Sequence, residues 1–152
     1  MAAEPHWDTF EHEAGIGVVG VGGDVADAFS EAARALTALV TDLGKVEGRT
    51  PHEIRLAIRP GTDTKSVLVD WLNAVIQEMD QRQLLFSEFD IFLGPTELVA
   101  RTYGEPLNPR RHHLERTLLR AIPAAVDVRQ EDSDTWVAEC VVEAAPAAGR
   151  AL

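Results

Sequence analysis

The sequence predicts an α+β fold in which two amphipathic helices pack on a largely antiparallel β-sheet within a single domain. Only two segments show apolar residues at three- and four-residue spacing, and the remaining apolar stretches alternate as strands do. No helical stretch follows residue 81, so the later strands must pair through short turns, which makes the sheet antiparallel. A chain of 152 residues, 45% apolar and 26% charged, suits one domain with a real core.

The elements follow in order. Residues 7–23 begin with alternating apolar and polar positions and end in Ile16-Gly-Val-Val-Gly-Val-Gly-Gly23, read as strand structure closing in a turn. Asp24 can cap a helix that carries Val25, Phe29, Ala32, Leu36, Leu39, Val40 and Leu43 on one stripe and stops at Gly44. Glu53–Arg59 alternates as a half-buried strand, and Pro60-Gly61 ends it. A second helix over about 62–81 presents Leu68, Trp71, Leu72, Val75, Ile76 and Met79 to the core and Asp70, Asn73 and Gln77 to water. Strands are expected at 84–93, 97–103, 114–122, 126–129 and 135–143, with turns at Gly94-Pro95 and near Ser133. Pro123 lacks a backbone donor and is expected at a sheet edge or a bulge. The domain is drawn at 1–144, with 145–152 as an Ala-rich tail.

Charge narrows the function. Fourteen Lys and Arg against 25 Asp and Glu give a net −11, which argues against nonspecific grip on a phosphate backbone and favours contact with a basic protein surface. The imbalance is local: residues 1–48 hold nine acids and two bases, whereas 101–120 hold Arg101, Arg110, Arg111, Arg116 and Arg120 against two Glu, beside His112 and His113. A single cysteine, Cys140, rules out an internal disulfide, and its alternation with Trp136 and Ala138 places it in the core. The acidic N-terminus and the lack of a long apolar run point to the cytoplasm, away from any membrane.

Motif by motif, most chemistry drops out. Gly15-Ile-Gly17-Val-Val-Gly20 has dinucleotide-loop spacing, but helix rather than a second strand follows it, so its glycines serve strand packing and the turn. The five His lack zinc-site spacing, and no Ser sits in a nucleophile elbow. No catalytic residue is assigned, and the chain is expected not to be an enzyme.

The order of segments resembles the archease family. The similarity lies in Phe10-Glu-His12-Glu-Ala-Gly15-Ile-Gly17, like the family's F-x-H-T-A-D-I-G; in Thr41-Asp-Leu-Gly-Lys-Val-Glu47; in Val69-Asp-Trp-Leu-Asn73; in Leu84–Asp90; and in Gly104-Glu-Pro-Leu-Asn-Pro-Arg-Arg-His112. The resemblance implies an accessory protein of the GTP-dependent, RtcB-type tRNA-splicing RNA ligase. Such a protein promotes guanylylation and repeated turnover and meets tRNA only through its partner. It further implies a bound divalent, calcium-like cation, with Glu143 as one ligand, and contact with the ligase near Asp70, Arg120 and His12. This chain departs from the family where the motif's Asp is Gly15, so Glu13, two residues away, is the candidate replacement ligand if the stretch is extended. It departs again where a Lys-Ala-Val-Thr-Tyr-His-like run reads Arg120-Ala-Ile-Pro123-Ala-Ala125. The alternative these departures leave open is an archease-fold protein-binding module that has lost both metal and ligase activation.

Overall fold

The structure is a computed structural model that describes residues 4–147. A hairpin of β1 (His6–His12) and β2 (Gly15–Gly22) leads into α1 (Val25–Val40) and a short 3₁₀ turn (Leu43–Lys45). β3 (Thr50–Ala57) precedes α2 (Thr64–Arg82), and β4 (Leu84–Leu93), β5 (Glu97–Pro106), β6 (Arg116–Asp132) and β7 (Thr135–Pro146) complete the chain. Every strand pairing among the described residues is antiparallel, but the strands form two sheets where the sequence predicts one: β1-β2-β7-β6 and β3-β5-β4.

α1 starts where the sequence places its cap, because Asp24 accepts the Asp27 N–H at 2.8 Å; α2 is capped by Asp63, which accepts the Ser66 N–H at 2.8 Å. α1 is buried on more than its apolar stripe, since Ser30, Glu31 and Thr37 are buried too. The helix lies between the sheets and not merely on one. On one side its backbone meets β2 directly: a Cβ on Gly20 would fall 1.9 Å from the Ala28 carbonyl oxygen, so glycine is what lets helix and strand approach. On the other side the Thr37 hydroxyl donates to Phe86 O of β4 at 2.7 Å. α2 is tied to α1 by the Trp71 indole, which donates to Phe29 O at 3.1 Å, and Trp71 packs edge-on against Phe89.

β6 is one long strand where two were expected. Its pairing with β7 breaks between Ile122 and Asp127, and inside that gap Pro123 needs no partner while Ala125 takes a φ of 54°. The interruption at Pro123 is therefore a bulge on an edge strand, as the missing donor predicts. β7 continues to Pro146 with Ala145 opposite Thr117, so residues 145 and 146 belong to the sheet instead of a tail; 148–152 lie outside the described residues. Among the described residues no helix is long and apolar enough to cross a membrane.

Candidate functional site

Four of the residues singled out by sequence meet at one end of the larger sheet. His12 and Gly15 face each other as the last pair of the β1–β2 hairpin, and Arg120 of β6 stands opposite Glu143 of β7. The β2–β7 ladder reaches Ile16 opposite Val142, which brings Gly15 against the Val142 carbonyl. A Cβ at position 15 would lie 2.3 Å from Val142 O and 3.0 Å from its carbonyl carbon. The Arg120 guanidinium donates to Glu143, with side chains 68% and 36% exposed. At the hairpin tip the Ala14 N–H donates to His12 Nδ1 at 3.0 Å.

The expected role of Glu13 fails on its premise. Glu13 and Ala14 form the two-residue turn between β1 and β2, so position 13 is not on a strand and does not share a face with position 15 by alternation. A hard cation such as calcium takes about six to eight oxygen ligands, several of them carboxylate. Here one carboxylate, Glu143, is already paired with a guanidinium, and a side chain at 15 has no room. Among the described residues no group of three or more His, Cys, Asp or Glu is placed to hold a metal. This donor set does not fit the cation that the resemblance implies.

Asp70 sits elsewhere. It is exposed on α2 and lines a shallow cavity of about 280 Å³ with Lys65, Val69, Pro123 and Val126, beside the β6 bulge. The neighbouring Asn73, expected on a solvated face, instead docks on that strand. Its Nδ2 donates to Ala121 O at 3.1 Å and its Oδ1 accepts the Ala121 N–H at 2.8 Å, so a side-chain amide pairs with the edge backbone as a neighbouring strand would.

A second cluster unites two of the family-like segments. Glu105, at the end of β5, is buried; its Oε2 accepts the Glu47 N–H at 2.6 Å and lies 3.2 Å from His112 Nε2, while Arg111 pairs with its other oxygen. His112 is 1% exposed. Its Nδ1 accepts the Asn108 N–H at 2.9 Å, so the ring proton belongs on Nε2, facing Glu105. Burial and the adjacent Arg111 hold the His112 imidazole below the usual histidine range. The arrangement ties the 43–47 turn and the 104–112 loop together around one carboxylate.

The basic patch expected at 101–120 is dispersed. Arg101 lies on β5, Arg111 is absorbed by Glu105 and Glu47, Arg116 donates to Leu39 O at 3.2 Å, and Arg120 pairs with Glu143. Cys140 is buried, and that burial pushes its thiol up to about 11, which keeps it a core thiol as expected.

Residues 7–143 match the family model described as Archease protein family (MTH1598/TM1083). The chain is 30% identical to the protein archease of Sulfolobus acidocaldarius, over 90% of this chain and 97% of that protein. It is 28% identical to that of Pyrococcus abyssi, over 89% and 96% respectively. In fold it is similar to a solution structure of Methanobacterium thermoautotrophicum protein 1598, with a TM-score of 0.76, 21% identity and coverage of 90% of this chain and 97% of that one. It is likewise similar to a crystal structure from Thermotoga maritima described as an archease, possible chaperone, with a TM-score of 0.60, 16% identity and coverage of 88% and 94%.

Proposed function

The chain belongs to the archease family, and from that membership we propose that it is a cytoplasmic accessory protein that activates a GTP-dependent tRNA-splicing RNA ligase. In this reading it promotes guanylylation of the ligase and lets each ligase molecule turn over repeatedly, reaching tRNA only through that partner. The observation that carries the proposal is the family match, which runs from β1 to Glu143 and takes in every element of the fold. Charge supports it: a net −11 surface is suited to docking on a basic RNA-handling enzyme and steers such an encounter.

Within that proposal each named residue has a task. Arg120 and His12, at the open end of the larger sheet, and Asp70, beside the β6 bulge, are the contact residues. The 104–112 loop is held by buried Glu105, so it meets a partner already ordered, and little conformational entropy is lost on docking. The description of the Thermotoga protein as a possible chaperone is compatible with an accessory role of this kind.

The second reading is an archease-fold binding module without ligase activation, and the observation that favours it is the altered hairpin end. One assay separates the two. Broken tRNA halves, GTP, a divalent ion and substoichiometric ligase from the same source are incubated with and without the chain, and ligated product is counted per ligase. Product rising past one turnover only when the chain is present supports activation. Equal yields, with the chain folded and in excess, favour the binding module.

A further inference from the structure

We propose that the hairpin end of this archease works without a bound divalent cation, with the Arg120 guanidinium as the fixed positive charge that Glu143 faces. The inference rests on family membership alone and not on the ligase partnership. Three observations carry it.

First, the Glu143 carboxylate is engaged. Arg120 donates to Glu143 across the β6–β7 pair, and a guanidinium in that position both neutralises the carboxylate and repels an incoming cation. Second, the position where the family motif carries Asp is closed by main chain, not by a mobile side chain. Val142 O stands 2.3 Å from where a Cβ of residue 15 would be, so the ladder between β2 and β7 leaves no space for a side chain there, and placing an acid at 15 would mean moving main chain. Third, Glu13 is held in a two-residue turn closed by the His12–Gly15 pair and by the Ala14 N–H donating to His12 Nδ1. That bond occupies the ring nitrogen of His12 that points back to the turn.

With no acid at position 15, Arg120, which stands where the family-like run has Lys, is left as the positive charge that Glu143 faces. A cation bound by several oxygens is lost as chelators or competing ions remove it, whereas a guanidinium stays protonated at any pH the protein survives. This end of the molecule then presents the same charge whether calcium is present or not.

Calorimetric titration of the purified chain with calcium chloride, and separately with manganese and magnesium chloride, tests this directly. It is paired with melting curves in about 1 mM calcium and in excess chelator, where a micromolar site would raise the melting temperature by several degrees. The expected result is no saturable heat for any of the three ions and melting temperatures that agree within about 1 °C. Glu143→Ala, a substitution at an exposed ion pair that leaves the core intact, is the control. Saturable one-to-one binding that Glu143→Ala abolishes overturns the proposal. Binding that Glu143→Ala leaves unchanged places the ion elsewhere on the acidic surface and upholds the proposal for the hairpin end. Failure to activate a ligase would sink the functional proposal and leave these titrations standing, so the two are read separately.

Discussion

Truncating Asn73 to Ala should lower stability by about 2 kcal/mol, because the amide makes two hydrogen bonds to the main chain of Ala121, a residue only 4% exposed. Each such bond contributes about 1 kcal/mol net, and a buried donor or acceptor left without a partner costs about 1–3 kcal/mol. The cleft lined by Asn73, Gln77, Thr117 and Leu118 admits water to part of the vacated space, which holds the total near the lower figure. In urea the midpoint should fall by about 1 M with an unchanged slope, and the melting temperature by about 4–8 °C. Asn73→Asp is the informative companion: it keeps the acceptor for the Ala121 N–H but turns a carboxylate oxygen toward Ala121 O, so it should be at least as destabilising near neutral pH. An Asn73→Ala protein within about 0.5 kcal/mol of wild type would refute the reasoning, since that is the range of a solvated surface position.

Three further outcomes are expected. His112 sits below its usual pKa in the folded chain, so the unfolded chain binds more protons; stability is full above about pH 6.5 and falls as pH drops toward the folded-state value. The difference in melting temperature between wild type and His112→Gln should therefore shrink from pH 7.5 to about pH 5.5, and a difference that does not change with pH would sink this account. Cys140, buried and with its thiol raised to about 11, should resist a thiol-specific disulfide reagent at about pH 8 and react fully in denaturant; fast labelling of the native protein would contradict its placement. Gly20→Ala should cost about 3 kcal/mol or prevent soluble expression, because its methyl would enter the Ala28 carbonyl and the Ala32 amide; a melting temperature within about 3 °C of wild type would show that α1 can lift off β2 at little cost.

What local pattern controls was legible in the sequence. Asp24 caps its helix because a carboxylate at that position finds the N–H three residues on in any helix, and Pro123 marks a bulge because it has no N–H to give. What remained hidden depends on partners far along the chain. Asn73 reads as a wet helix face until β6, 48 residues away, is placed beside it. His112 reads as part of a basic patch until Glu105 and the Glu47 turn close over it. Glu13 shares a face with position 15 only if the chain stays extended, and hairpin pairing of His12 with Gly15 makes it a turn instead. The count of sheets was missed for the same reason: alternation identifies strands, but α1 wedged between β2 and β4 decides that they divide into two groups.

The broken edge of β6 has a consequence for how this acidic protein behaves when concentrated. Sheet edges recruit stray strands through rows of free amides and carbonyls, and long flat ones seed aggregates. Here the row is interrupted three times: register slips near Leu119, across 123–126 and near Glu131. A proline removes one donor, and a side-chain amide from α2 occupies the groups of Ala121. The outer border of the larger sheet is thus a poor template for another chain, and like-charged copies are kept apart by the net −11. An edge strand of this kind is protected from pairing with its own kind.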